Sequence, residues 1–143
     1  MIIADEAAML AFGEQLAQTV SVGDWVAIDG PLGAGKTVLS KGILRGLGFS
    51  GEVASPSYAI VHLYDPPETS IAVAHADLYR LNNVEELDEL GLAEERDDRL
   101  ILVEWAERAG PAYMRPSHHI LIAPQPDGSR ILTLNTDRHD TGN

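Results

Sequence analysis

The 143-residue chain has no cysteine. Disulfides and thiolate zinc sites are therefore excluded, a usage that suits a reducing compartment. Lysine is scarce. Lys36 and Lys41 are the only two, the arginines are scattered without a basic run, and 22 acidic residues against 10 Lys and Arg leave a net charge of −12. Affinity for nucleic acid comes largely from Lys and Arg, so this surface repels a phosphate backbone. A role in a nucleic-acid pathway would need a partner protein to hold the nucleic acid. Long apolar runs are missing as well: no segment approaches the ~20 residues of a membrane-crossing helix. Residues Met1 to Glu6 lack the basic and apolar regions of a signal peptide, so a cytoplasmic location is expected. There is no internal repeat and no low-complexity stretch. The 45% hydrophobic and 22% charged fractions are those of an ordinary soluble domain, and the length allows a sizeable core.

What the chain does contain is a complete phosphate-binding loop, Gly-Pro-Leu-Gly-Ala-Gly-Lys-Thr at 30–37, matching G-x-x-x-x-G-K-[ST]. Its glycines allow backbone N–H groups to curl around a polyphosphate without Cβ clashes. Lys36 supplies a mobile charge for the terminal phosphates, and Thr37 a hydroxyl for Mg²⁺. The context fits: Trp25 to Ile28 reads as the preceding strand, and Lys36 to Gly46 as the following helix, with Leu39, Ile43 and Leu47 on one face. The N-terminus of that helix would favour an anion.

Along the rest of the chain, Asp5 to Val20 reads as an amphipathic helix with Asp5 as N-cap. Tyr58 to Tyr64 and Ile71 to Asp77 have strand character. Asn83 opens a short acidic helix with a capping-box partner at Glu86, stopped by Gly91. Leu100 to Val103 is a continuous apolar run, as in a buried strand. His118 to Ala123 and Arg130 to Leu134 form a hairpin around Pro126-Asp127-Gly128. The pattern predicts one α/β domain over 1–135, a three-layer sandwich of the phosphate-loop NTPase kind. It would have a mixed sheet and a terminal antiparallel hairpin, followed by a polar tail over 136–143 expected to be disordered.

A nucleoside triphosphatase needs a further acid for the metal or the attacking water. Asp77 and Glu104 each close an apolar run, and an acid at the carboxyl edge of a parallel strand faces the ligand crevice. A solvated strand-end acid is the ordinary alternative for either one. In a strand, His75, Asp77 and Tyr79 share a face. That face can carry a proton-responsive or phosphate-sensing group, or simply a satisfied core histidine and an ion pair. Ser55-Pro56-Ser57-Tyr58 is a hydroxyl-bearing loop that reads either as a phosphate-sensing switch or as a plain proline turn. His118 and His119 are adjacent on a strand and point to opposite faces, so they read as structural.

These pieces together resemble the bacterial TsaE (YjeE) family. They are the loop at 30–37, Ser55-Pro56-Ser57-Tyr58, His75-Ala76-Asp77-Leu78-Tyr79-Arg80-Leu81, Glu86-Leu87-Asp88-Glu89-Leu90-Gly91 and Leu102-Val103-Glu104-Trp105. The resemblance covers most of 5–110. It implies a small ATPase of tRNA threonylcarbamoyladenosine synthesis that works with TsaD and TsaB, the subunits that bind the tRNA. It further implies that Pro31, Leu32, Gly33, Ala34, Gly35, Lys36 and Thr37 cradle ATP, and that Thr37 and Glu104 bind Mg²⁺. Ser55 and Ser57 would belong to a first switch-like loop, and His75, Asp77 and Arg80 to a second cluster. Trp105 would pack beside the nucleotide, and Arg130 would lie over the base. Three positions depart from the family pattern: Ser57 stands for Thr, Ala54 for Thr or Lys, and Met9 for a Thr near the adenine.

The competing readings are a small-molecule kinase, a guanine-specific switch and a non-catalytic module that merely holds ATP. No arginine cluster reads as a kinase lid, and no Asn-Lys-x-Asp base-reading motif is present. The complete Lys36, Thr37 and Glu104 set argues against the module.

Overall fold

A computed structural model describes residues 1–53, 61–79, 81, 85–109 and 116–136. The architecture is α/β, built on a seven-stranded mixed sheet of order β1-β7-β6-β2-β5-β4-β3. The strands are β1 (Ile2–Ile3), β2 (Trp25–Asp29), β3 (Val61–Tyr64), β4 (Val73–Asp77), β5 (Leu100–Glu104), β6 (His118–Pro124) and β7 (Arg130–Thr136). The central strands β6, β2, β5 and β4 run parallel, while β1, β7 and β3 pair antiparallel at the two ends. Parallel strands buried on both faces need apolar residues throughout, and β2 and β5 are buried at every position.

Alternation along these strands divides the core in two. Val26, Ile28, Leu100, Leu102, Ile120 and Ile122 face the first layer, made of α1 (Glu6–Leu16) and α2 (Lys36–Gly46). Trp25, Ala27, Ala74, Ala76, Ile101 and Val103 face the second, which includes Leu92 and Ala106. The short helix α4 (Leu92–Glu95), which follows α3 (Glu85–Leu90), and the 3₁₀ turn over Ala106–Ala109 line that side. None of the described helices is long and apolar enough to cross a membrane.

The helix after the phosphate loop has the predicted bounds, and Leu39, Ile43 and Leu47 are all buried. Asp5 does cap α1, accepting from the Ala8 N–H at 2.9 Å. That helix stops at Leu16 rather than Val20, because the Thr19 hydroxyl donates to the Leu16 carbonyl at 2.8 Å and closes the last turn. Gly91, at φ 68, turns the chain into α4 instead of only ending α3, an element too short for its periodicity to be read. Strand β1 was likewise not expected. Two residues carry no alternation signal, and only pairing with Ile131 and Arg130 defines them. The terminal hairpin turns where predicted, and Thr136 is the last residue of β7, paired with His118. Residues 54–60, 80, 82–84, 110–115 and 137–143 lie outside the described residues. They include Ala54, Ser55 and Ser57, the start of the Tyr58–Tyr64 segment, Arg80, Asn83 and the polar tail beyond Thr136, which itself belongs to β7.

The phosphate loop inherits its position from the α1–α2 contact, which is made through glycine. A Cβ on Gly42 would stand 2.5 Å from the Leu10 carbonyl oxygen, and one on Gly13 would stand 2.7 Å from that of Leu39. Alanine is intrinsically the better helix former by about 1 kcal/mol, but backbone atoms of the facing helix cannot yield as a side chain does. Gly42→Ala is therefore expected to destabilise the fold by roughly 1–3 kcal/mol, read as a lower midpoint in denaturant unfolding. A stabilised Gly42→Ala protein would show that the helices can separate freely.

Candidate nucleotide-binding site

The C-terminal ends of β2, β5 and β4 lie side by side, with Ile28 opposite Glu104 and Glu104 opposite Asp77. In an open parallel sheet this edge is where ligands bind. The loop at 30–35 leaves β2 there and enters α2. Gly35, at the N-cap, has φ 109, a conformation that disfavours any residue with a Cβ. Leu32 at the loop tip is 75% exposed, whereas Ala34 is buried.

Lys36 is buried, and its Nζ donates to the Gly30 and Pro31 carbonyls at 2.7 and 2.8 Å. The same ammonium lies 3.9 Å from the centroid of the Trp105 ring. Burial lowers the Lys36 pKa below the ordinary lysine value, against the raising influence of Glu104, Asp77 and Asp29. Its charge thus rests on these nearby acids and carbonyls instead of bulk water.

Glu104 is the most enclosed acid of the site. Its Oε1 accepts from the Thr37 hydroxyl at 2.8 Å, and its Oε2 lies 2.5 Å from His75 Nε2. Burial would raise this carboxyl, but the hydrogen bond and charge of His75 and the bond from Thr37 outweigh it. The pKa falls below the ordinary glutamate value. An ionised carboxylate only accepts, so Nε2 carries the proton in the bond to His75. Among the described residues, His75 Nδ1 is buried without a hydrogen-bond partner. Asp77, at the next strand end, accepts from the Tyr79 N–H at 2.9 Å. Burial raises its pKa above the ordinary aspartate value, and Glu104 adds to that. The Tyr79 N–H, His75 and Lys36 oppose the rise without cancelling it.

The described residues contain no cluster of three or more His, Asp or Glu side chains able to cage a metal. The hydroxyl and carboxylate of Thr37 and Glu104 nevertheless suit Mg²⁺, which takes one or two protein oxygens and completes its shell with water and phosphate.

Beside the loop is a cleft of about 400 Å³, lined by Met9, Ala34, Val38, Asp127 and Arg130 among others. Arg130 ties the hairpin to the loop: Nε donates to the Ala34 carbonyl at 2.8 Å, and Nη1 to that of Gly128 at 2.6 Å. Met9 replaces the expected threonine with an apolar wall.

The fold therefore gathers Lys36, Thr37, His75, Asp77, Glu104 and Trp105 around one sheet edge, and Arg130 at the adjoining cleft. Ser55, Ser57 and Arg80 lie outside the described residues. Two residues were not singled out from the sequence, Asp29 and Arg108. Asp29, at the end of β2, accepts from the Glu107 N–H at 2.9 Å and lies 2.8 Å from His119 Nε2. Tyr79 and Arg108 stack on Trp105. Ending the strand at Asp29 instead of Ile28 would have drawn attention to the first; only the fold reveals the second.

Comparison with known proteins agrees with this geometry. The family model described as "Threonylcarbamoyl adenosine biosynthesis protein TsaE" matches residues 3–132. The chain is 39% identical over 112 residues to the tRNA threonylcarbamoyladenosine biosynthesis protein TsaE of Haemophilus influenzae, covering 74% of this chain and 70% of that protein. It is 39% identical over 106 residues to the protein of the same description from Mycobacterium tuberculosis, covering 68% of this chain. The match spans 62% of the length of that mycobacterial relative. Among solved structures, Bacillus subtilis YdiB superposes with a TM-score of 0.74 at 25% identity, over 95% of this chain and 83% of that one.

The raised Asp77 pKa has a stability consequence. A folded-state pKa above the unfolded value means that ionising Asp77 at neutral pH costs stability, and that the cost disappears once both states are protonated. Asp77→Asn is expected to unfold at a higher temperature than the parent protein at pH 7, with the gap closing as pH falls below the ordinary aspartate range. A destabilised Asp77→Asn protein at pH 7 would contradict the burial argument.

Proposed function

The chain belongs to the TsaE family, whose members take part in tRNA threonylcarbamoyladenosine biosynthesis, and from that premise we propose that it is the Mg²⁺-dependent ATP-binding and hydrolysing subunit for threonylcarbamoylation of the adenosine next to the anticodon. It would act in the cytoplasm with TsaD- and TsaB-like proteins. The single observation that carries this reading is the Thr37–Glu104 contact of 2.8 Å at the start of α2, one residue from the phosphate-loop lysine. It joins a metal-binding hydroxyl to an ionised, buried acid at the place where polyphosphate binds.

The chemistry follows from the residues. Backbone N–H groups of the loop and of the first turn of α2 cradle the phosphates. Lys36 exchanges the Gly30 and Pro31 carbonyls for phosphate oxygens. Thr37 and Glu104 hold Mg²⁺, which when bound neutralises charge on the transferring phosphoryl group. His75 fixes the Glu104 carboxylate through Nε2. Asp77, whose raised pKa makes it the stronger base of the two acids, orients the attacking water. The adenine enters the cleft between Met9, Val38 and Arg130. With a net charge of −12, the chain suits a basic face on a partner protein and touches tRNA only through that partner.

Lys36→Ala is expected to weaken ATP binding at least a hundredfold, measured by calorimetry. Unchanged affinity would remove the central claim. Glu104→Ala is expected to retain part of the nucleotide affinity while losing turnover; normal hydrolysis would shift metal binding to Asp77. ATP hydrolysis should be slow for the isolated chain and rise when TsaD- and TsaB-like proteins are added. Indifference to them, together with rapid phosphorylation of a metabolite, would favour a small-molecule kinase.

A further inference from the structure

Lys36 touches more than the loop carbonyls. Its ammonium lies 3.9 Å from the Trp105 ring centroid, and the Trp105 and Tyr79 rings are 4.8 Å apart with their planes at 50°. The Arg108 guanidinium carbon is 5.3 Å from the Tyr79 ring and 5.9 Å from that of Trp105. A phosphate-binding loop by itself requires none of these side chains. The stack leads from a buried cation, through a half-buried indole, to two surface side chains, Tyr79 being 40% exposed.

The backbone of Trp105 sits in the left-handed region at φ 58, where it is the only described non-glycine residue with positive φ. An L-residue stays there only when its surroundings over-determine it. The determinants are visible: Trp105 N–H donates to the Ile28 carbonyl at 3.0 Å, Arg108 N–H donates to the Trp105 carbonyl at 3.0 Å, and Leu78 N–H donates to that of Glu104 at 3.0 Å. These bonds set the indole where its negative π-face attracts the ammonium, and the Tyr79 ring and Arg108 hold it in place.

We propose that Tyr79 and Arg108 are positioning residues for the phosphate loop: acting through the Trp105 ring, they restrict where the Lys36 ammonium can sit. The inference rests on ATP being the ligand of that loop. Part of the ordering that Lys36 needs in order to meet phosphate is then supplied before the nucleotide arrives. Anything that contacts the exposed Tyr79 or Arg108 changes nucleotide affinity without touching the nucleotide.

The test uses the full chain. Tyr79→Leu removes the ring, whereas Tyr79→Phe keeps it. Tyr79→Leu is expected to weaken MgATP binding by about three- to tenfold in calorimetry, with Tyr79→Phe restoring the parent affinity. Arg108→Gln, at an exposed position, should weaken binding in the same direction and serves if Tyr79→Leu lowers the unfolding midpoint. A second arm needs no nucleotide. In a Trp25→Phe background Trp105 is the only tryptophan, and Tyr79→Leu and Lys36→Met should each shift its emission. Parent-like affinity in folded Tyr79→Leu and Arg108→Gln overturns the proposal. So does an equal loss in Tyr79→Phe, or an emission that neither Tyr79→Leu nor Lys36→Met moves. If the parent protein binds no ATP, the functional reading falls, and the emission arm still decides whether Lys36 and Tyr79 meet on Trp105.

Discussion

The buried Glu104 carboxylate is the point on which the site turns. It lies almost wholly out of water, where an unpaired charge would be very unfavourable. Its two oxygens are each taken up, one by the Thr37 hydroxyl and one by His75 Nε2. Those bonds reach α2 on one side and β4 on the other, so one charge fixes the start of the phosphate-loop helix against two strands. Removing any one of the three would leave a buried polar group unpaired, and the same three groups would hold the metal and its orienting partner.

The two acids at this edge are treated oppositely by their surroundings. Glu104 is held below its ordinary pKa by hydrogen bonds, and Asp77 above its own by burial. A low-pKa carboxylate is suited to staying charged beside a cation, while a raised one is suited to accepting a proton. The proposed division of labour, metal binding by Glu104 and water orientation by Asp77, would thus have a physical basis in two residues that occupy equivalent places on neighbouring strands.

Around them the scaffold is assembled by close approach. Glycine at Gly13 and Gly42 lets α1 lie against α2. Arg130 reaches from the terminal hairpin to the carbonyl of Ala34. Asp29 joins the end of β2 to the turn after Glu104 and to His119 on β6. Each contact spans residues far apart in the chain, and each ends on the phosphate loop or its immediate supports.

The loop at 30–37, the bounds of α2, the capping of α1 by Asp5 and the buried character of β5 were all legible from residue order alone, because each depends on local geometry or on a periodicity within a dozen residues. The family was legible too, since its motifs are short and contiguous. Sequence also put Glu104 and Asp77 at strand ends, but not beside each other or at opposite pKa. Only the tertiary structure decided that β5 and β4 are neighbours, that His75 points at Glu104 and not into an indifferent core, that two residues at the start of the chain pair at the sheet's edge, and that Trp105 meets Lys36 while Tyr79 and Arg108 stack on Trp105. Those facts depend on strand order and on side chains meeting across tens of residues. Desolvation and hydrogen bonding act through space, and nothing in the order of residues along the chain specifies that distance.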